Sequence, residues 1–323
     1  MPRAVQISEA GGPEVMELRN VPLVEPGPGM VQVENRAIGL NFIDTYHRNG
    51  LYPLPLPTGL GTEGAGVVTA VGEGADLAVG DRVAYCSAGI GSYAEVLNLP
   101  AARLVKIPEG VDFEIAAAVM LKGQTVEYLL QRCFPLNPGQ TCVFHAAAGG
   151  VGLLFGQWAS ALGATVIGTV SSAAKAELAR AHGYHHVINY AEQDVAQAVA
   201  DITGGVGVPV VYDGVGRDTF EASLSCLQPR GMLVSFGNAS GAPEPVDLQR
   251  LALGGSLYVT RPTLVSYTGS TGELRDSAAA VFERVLDGRL KVEIQQRYPL
   301  ERIADAHRDL EARRTTGSTV ILP

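Results

Sequence analysis

The sequence predicts an α/β protein: a doubly wound, six-stranded parallel sheet joined to a smaller, mainly antiparallel β domain. Three observations predict it. From about residue 125 onward, short apolar strands alternate with amphipathic helices, the pattern of a parallel sheet covered on both faces. A glycine-rich turn, Ala146-Ala147-Ala148-Gly149-Gly150-Val151-Gly152, joins the first of those strands to the first of those helices. Residues 1 to about 110, by contrast, read as short strands bounded by glycine and proline.

Composition sets the outer limits. A chain of 323 residues suits two domains of ordinary size, and 46% hydrophobic with 18% charged residues excludes disorder. The charge sum, 24 basic against 33 acidic residues, is −9, which disfavours a nucleic-acid or anionic-membrane partner. The apolar run Ala146 to Gly156 is broken by glycines and too short to span a membrane. Met1-Pro2-Arg3-Ala4-Val5-Gln6 has no signal-peptide core, and Cys86, Cys133, Cys142 and Cys226 are widely scattered. A reducing cytoplasm without a disulfide framework is therefore expected. The 39 glycines exceed the usual share of about 7% and suggest tight turns or backbone brought close to a ligand.

Taken in order, Val31–Ala37 alternates apolar and polar residues as a half-buried strand does. Gly66–Val71, Arg82–Tyr85, Ser92–Leu97 and Leu104–Ile107 are further strands, and the proline clusters Pro22 to Pro28 and Pro53 to Pro57 are stiff loops. After the turn at Asn137-Pro138-Gly139, Thr141–His145 is a buried strand. Val151, Leu154, Phe155, Trp158 and Leu162 then repeat at helical spacing until Gly163. Strands Thr165–Val170, His186–Tyr190, Val208–Tyr212, Met232–Phe236 and Ser256–Val259 follow. They are separated by helices Ala173–Ala181, Glu192–Ile202 and Arg217–Leu227. The tail reads as helix Glu273–Leu286, a strand, helix Ile303–Arg313 and strand Thr319–Leu322, too small to fold alone.

The glycine-rich turn carries the chemistry. Laid on G-x-G-x-x-G, it has Ala147 at the first glycine place and Gly149 and Gly152 at the second and third. Gly149 lets backbone approach a pyrophosphate, Gly152 lets helix pack on strand, and the helix start offers free N–H groups, with Gly150 and Val151 beside them. Between a clear strand and a clear helix the string specifies a dinucleotide site. The next strand ends Gly168-Thr169-Val170-Ser171-Ser172, with Lys175 following and no carboxylate. Hydroxyls and an ammonium welcome a 2′-phosphate that an acid would repel, so NADP(H) is favoured over NAD(H). A first-turn lysine also opposes the helix dipole and wants a reason.

These motifs and five others resemble one family. Asn41-Phe42-Ile43-Asp44-Thr45-Tyr46, Gly61-Thr62-Glu63-Gly64-Ala65-Gly66, Gly80-Asp81-Arg82-Val83, Leu121-Lys122-Gly123-Gln124-Thr125 and Val234-Ser235-Phe236-Gly237-Asn238 occur with it in order. Together they are similar to the medium-chain dehydrogenase/reductase superfamily, in its NADPH:quinone oxidoreductase (zeta-crystallin-like) branch. The resemblance implies a GroES-like β domain from residues 1–125 and 270–323, and a Rossmann dinucleotide-binding domain from 126–269. It implies NADPH as cofactor, a small-molecule quinone as substrate, and a homodimer formed through the edge strand Ser256–Thr260. Zinc alcohol dehydrogenases of the superfamily take ligands from a Cys, a Gly-His-Glu segment and a further Cys or acid. Here Asn41, Thr62 and the Leu121-Lys122 region stand at those places, and no catalytic zinc is expected.

The resemblance also implies roles for individual residues. Asn41, Tyr46 and Tyr52 are the polar groups placed near the nicotinamide, where tyrosine hydroxyls can stabilise charge on a quinone oxygen. Ring packing on the cofactor is an equal reading for both tyrosines. Phe42, Tyr128, Gly150, Val151, Ser171, Lys175, Tyr190, Val215, Phe236, Gly237, Asn238 and Arg313 would line the cofactor site, with Ser172 beside Lys175. Asp44 and Glu63 are read as loop anchors, His145 as packed on the sheet, and His182, His185 and His186 as a solvated turn. Two rival functions stand beside quinone reduction. One is an NADPH-dependent alkenal or enoyl-thioester reductase of the same superfamily, and the other is an NADPH-binding protein without physiological turnover.

Overall fold

In the computed structural model, which describes all 323 residues, the chain divides into two units, Met1–Gln124 with Tyr267–Pro323 and Thr125–Ser266. The first unit opens with β1 (Arg3–Ile7), β2 (Glu17–Asn20) and the long β3 (Met30–Leu40). Then come α1 (Phe42–Asn49), β4 (Thr58–Gly59), β5 (Glu63–Val71), β6 (Arg82–Cys86), β7 (Val96–Pro100) and β8 (Val105–Lys106). β1 joins β2 and β4 in a three-stranded antiparallel sheet. β3 pairs antiparallel with both β5 and β7, and β5 leads on to β6 and β8. Val31, Val33, Val68, Val83, Leu99 and Leu104 pack together as its core.

One expected strand is displaced. Ser92–Leu97 was the expectation, whereas the strand runs Val96–Pro100 and Ala94 forms only an isolated bridge to Ala4. The reason is a side chain: Asn35 donates its amide N–H groups to the carbonyls of Ser92 and Ala94, at 3.1 and 2.8 Å, so ladder acceptors are already occupied. A helix, α2 (Phe113–Tyr128), was not anticipated at all. Its residues Ala116 to Met120 are all fully buried, so no polar face marks a helical period.

The second unit holds β9 (Thr141–Phe144), α3 (Gly150–Ala161), β10 (Thr165–Val170), α4 (Ala173–Arg180), β11 (His186–Asn189) and α5 (Val195–Thr203). It continues with β12 (Val208–Asp213), α6 (Phe220–Ser225), β13 (Leu227–Ser235), α7 (Leu248–Leu253) and β14 (Tyr258–Thr260). The six strands form one parallel sheet in the order β11-β10-β9-β12-β13-β14. The order reverses at β9, and such sheets bind ligands beyond the strand ends at that reversal. Val143, Ile167, Val211 and Leu233 meet Phe220 and Leu224 in the core. α6 is shorter than expected and β13 starts earlier, because Leu227 already pairs with Val208 before a bulge that contains left-handed Arg230. α5 starts late because Asp194 caps it, accepting from the Gln197 N–H at 2.8 Å.

The chain closes with α8 (Leu264–Tyr267), α9 (Thr271–Leu286), β15 (Ile294–Pro299), α10 (Ile303–Glu311) and β16 (Ser318–Leu322). β16 pairs antiparallel with β3, Val320 opposite Gly39, and so completes the seven-stranded sheet of the first unit. No helix is long and apolar enough to cross a membrane.

Candidate functional site

In the second unit the glycine-rich turn lies directly after β9. Ala146 takes the left-handed backbone at φ +58°, and the Ala147 N–H donates to the Thr169 carbonyl of β10 at 3.0 Å. Ala147 fits where the fingerprint has glycine because it rests on Gly168, whose own Cβ would come within 2.7 Å of it. Gly152 is the indispensable one. A Cβ there would meet the carbonyl oxygens of Ala146 and Ala147 at 2.5 Å, both backbone atoms that cannot swing aside. Tyr184 holds the same turn of helix by donating to the Gly152 carbonyl at 2.8 Å. α3 begins without a capping side chain and without an acid in its first turn, which suits a pyrophosphate.

The strand ends beside this turn gather most of the expected cofactor residues. Ser171 and Ser172 follow β10, and Ser172 caps α4 by accepting from the Lys175 N–H at 3.3 Å. Its hydroxyl hydrogen stays free of that duty. The Tyr190 N–H donates to the Val170 carbonyl at 3.0 Å, which brings Tyr190, 42% exposed, to the end of β10. Val215 and Gly216 donate their N–H groups to the Asp213 carboxylate at 2.8 and 3.0 Å, fixing the loop after β12. Phe236-Gly237-Asn238 follows β13 against that loop, and a Cβ on Gly237 would strike the Gly214 carbonyl at 2.4 Å. Tyr128 is buried at the end of α2. Phe42 and Arg313 belong to the first unit.

His145 is buried, as expected, but in a polar chain and not merely against the sheet. Ser223 donates to Asp213 at 2.8 Å, so its oxygen accepts from His145 Nε2 at 3.0 Å, and His145 Nδ1 accepts from the Thr169 hydroxyl at 3.0 Å. Burial lowers the pKa of this imidazole and keeps it neutral. His182 is also buried, with Nδ1 at 2.7 Å from the Leu178 carbonyl, and His185 Nδ1 accepts from the Val166 N–H at 3.1 Å. Of the turn expected to be solvated, His185 and His186 are exposed and only His182 is built into the fold.

In the first unit Asn41 and Tyr46 stand together on α1, Asn41 as its N-cap and Tyr46 buried in its second turn. Tyr52 packs edge-on against Tyr46 with ring centroids 5.2 Å apart. Asp44 and Glu63 exceed the role of loop anchors. Asp44 is completely buried and accepts from the Asn41 N–H at 2.9 Å, the Thr62 hydroxyl at 3.0 Å and the Tyr93 hydroxyl at 2.8 Å. Glu63, equally buried, accepts from Asn41 Nδ2 at 2.8 Å, the Leu121 N–H at 2.6 Å and Lys122 Nζ at 3.2 Å. Sequence reasoning missed this ion pair and the Asp44–Tyr93 contact. Gly39 was the available signal: a Cβ there would lie 2.2 Å from the Glu63 carboxylate, so the strand opposite Glu63 must be bare.

Comparison with known proteins identifies the family. Residues 27–109 match the model for the alcohol dehydrogenase GroES-like domain, and residues 150–282 match that for zinc-binding dehydrogenase. The chain is 55% identical to the quinone oxidoreductase of Pseudomonas aeruginosa over 100% of both chains. It is 44% identical to a 2-haloacrylate reductase of a Burkholderia species, over 100% of this chain and 99% of that one. The crystal structure of Escherichia coli quinone oxidoreductase complexed with NADPH superposes with a TM-score of 0.98 at 49% identity, covering 99% of this chain and 100% of that one.

The zinc of the second description does not fit the residues present. Lys122 already brings a cation to Glu63, Asn41 turns its N–H₂ toward the same carboxylate, and Thr62 is spent on Asp44. Cys86, opposite Glu63 in the β5–β6 register, is fully buried, and burial pushes its thiol pKa up. No group of three or more His, Cys, Asp or Glu side chains converges as a metal site.

The ion pair has a measurable consequence. Lys122→Met leaves a buried carboxylate without its cation and is expected to cost about 3–5 kcal/mol in denaturant unfolding. Adding Glu63→Gln removes the orphaned charge and should recover much of that loss. A single-variant loss below about 1 kcal/mol, the range of an exposed pair, would show that the pair is not sealed from water.

Full-length identity, the two domain matches and a ligand set replaced by an amide, a hydroxyl and an ammonium converge on one assignment: this chain belongs to the zinc-independent quinone oxidoreductase branch of the medium-chain dehydrogenase/reductases.

Proposed function

We propose that the chain is an NADPH-dependent quinone reductase that carries hydride or electrons from NADPH to a quinone without a metal. The observation that carries this reading is the end of β10, where Ser171, Ser172 and Lys175 offer hydroxyls and an ammonium and no carboxylate. The turn from Gly149 to Gly152 and the start of α3 hold the pyrophosphate. Lys175, with Ser171, Ser172 and Tyr190, meets the 2′-phosphate, and Tyr128, Val215, Phe236, Gly237 and Asn238 border the remainder; for Phe42 and Arg313 the family resemblance is the support. NADPH, when bound, supplies the reducing equivalents.

Asn41, Tyr46 and Tyr52 serve the acceptor. Glu63 holds the Asn41 amide by its N–H₂, which fixes the rotamer, and the tyrosine hydroxyls donate to a quinone oxygen as it gains charge. A quinone is already electrophilic and its reduced oxygens take protons from water, so no general base is assigned. A second reading, hydride addition to an activated alkene, is supported by the 44% identical 2-haloacrylate reductase. Four free cysteines support a reducing cytoplasm as the setting. A homodimer is supported by β14, an edge strand with Tyr258 at 58% and Val259 at 38% exposure. Sedimentation at micromolar concentration is expected to give the dimer mass, and a monomer would refute that assembly.

NADPH oxidation followed with a quinone and, separately, with 2-haloacrylate or an alkenal tests the activity. Turnover is expected with the quinone, preference for the alkene would favour the second reading, and binding without any turnover would defeat both. Lys175→Ala tests the cofactor. A charge-assisted hydrogen bond contributes about 1.5–3 kcal/mol, so NADPH affinity should fall roughly ten- to a hundred-fold while NADH affinity hardly changes. Equal loss for both cofactors would assign Lys175 to the fold or to the shared pyrophosphate.

A further inference from the structure

α1 is held at both ends by a circuit that leaves the helix and returns to it. Arg48, in its last turn, donates from Nη1 to His307 Nδ1 at 2.8 Å, and His307 sits on α10. His307 Nε2 lies 3.0 Å from the Tyr93 hydroxyl, and that hydroxyl lies 2.8 Å from Asp44, in the first turn of α1. All four side chains are at least 98% buried. The direction of every proton in the circuit is fixed. A guanidinium only donates, so His307 Nδ1 must accept, which leaves the hydrogen on Nε2. That hydrogen points at the Tyr93 oxygen, and the Tyr93 hydrogen can then go only to Asp44.

We infer that Tyr93 and His307 are positioning residues of the reductase: their one-way chain from Arg48 to Asp44 brackets α1, the helix that carries Asn41 and Tyr46. The inference rests on the reading that those two residues serve the acceptor. Arg48 is itself anchored, to Glu311 at 2.6 and 3.1 Å and to the Gly11 carbonyl at 3.1 Å. The other charges near Asp44 are spoken for. Glu63 is paired with Lys122, and Arg48 with Glu311. Asp44 alone has no cation on it and depends on three donors: Asn41 N–H, Thr62 and Tyr93. Burial raises its pKa to about 6, Glu63 adds to the rise, and the three donors work against it. If Asp44 gains a proton, its oxygens become weaker acceptors and one turns into a donor, so the bond from the Tyr93 hydroxyl weakens, and His307 cannot take that hydrogen because both imidazole nitrogens are already engaged.

The test is the pH profile of kcat for the full-length protein with NADPH and a quinone. Removing a donor raises the Asp44 pKa, so Tyr93→Phe should move the acidic limb upward by roughly one pH unit and lower kcat about ten-fold. KM for NADPH should stay within about two-fold, because neither Tyr93 nor Asp44 is among the residues proposed to hold the cofactor. Thr62→Val removes a different donor and should shift the limb the same way, which covers the case in which Tyr93→Phe does not fold. His307→Leu leaves Asp44 its three donors but frees the Tyr93 hydroxyl from its other partner, so it should lower kcat in the same direction with a smaller shift of the limb. His307→Gln, whose amide can accept from Arg48 and donate to Tyr93, should restore most of the loss. Folded Tyr93→Phe and Thr62→Val proteins with wild-type kcat and an unmoved limb would overturn the proposal. A wild-type protein inert toward quinone and alkene would remove instead the reading it rests on.

Discussion

The first unit is organised around a carboxylate that has nowhere to go. Glu63 sits in a central strand with no exposure, and an unpaired charge there would be prohibitive. Its surroundings follow from that. Gly39, opposite in the β3–β5 register, is bare because any side chain would collide with the carboxylate. α2 delivers the Leu121 N–H and the Lys122 ammonium to it, and Asn41 brings the start of α1. One buried group thereby ties two strands to two helices and sets the amide that the proposed chemistry uses. An ammonium here provides the fixed positive charge, and its single flexible stem cannot act as a Lewis acid. The acceptor must then be reactive in its own right, which is the condition a quinone meets.

In the second unit the corresponding constraint is a distance. The start of α3 must come close enough to the turn after β9 that two carbonyls crowd the Gly152 Cα, and only glycine permits it. Tyr184 and the Ala147 N–H fasten the same turn to β10. The His145 chain lies beneath, linking Thr169 on β10 to Asp213 on β12, so the strand ends are locked to one another before any ligand arrives. Preorganisation of this kind spends stability of the fold and spares the cofactor the cost of ordering loops.

What was legible in the sequence was whatever repeats locally. The strand–turn–helix around Gly149 and Gly152, the helix of Leu154 and Trp158, and the acid-free end of β10 all announce themselves within a few residues. The family motifs extended that reading over the whole chain. What escaped was structure made by partners distant in sequence. Asn35 displaces the expected strand at Ser92 from 57 positions away, and His307 reaches Tyr93 across 214. α2 escaped for another reason, since a helix buried on every side has no hydrophobic period to detect. The expected roles of Asp44, Glu63 and His145 were too modest because burial of a polar group is a property of the fold and cannot be read from its neighbours in the chain.

Both buried histidine chains use the imidazole in the same way. A neutral ring accepts on one nitrogen and donates on the other, so it passes direction from a fixed donor toward a carboxylate that needs donors. Keeping it neutral has a pH cost with a definite sign. Burial beside Arg48 lowers the His307 pKa to about 3, so below the ordinary histidine range the unfolded chain takes up a proton that the folded one refuses. Stability that His307 leaves intact at neutral pH is lost progressively as the solution is acidified. Asp44 has the opposite sign. Its raised pKa means the folded chain binds the proton more readily than the unfolded one, so its charged form weighs against stability near neutrality and less so in acid. A fold selected for stability alone would not leave a carboxylate uncompensated by a cation at that point. Its position in the first turn of α1, beside Asn41 and two residues before Tyr46, places the cost at the start of the helix proposed to serve the acceptor.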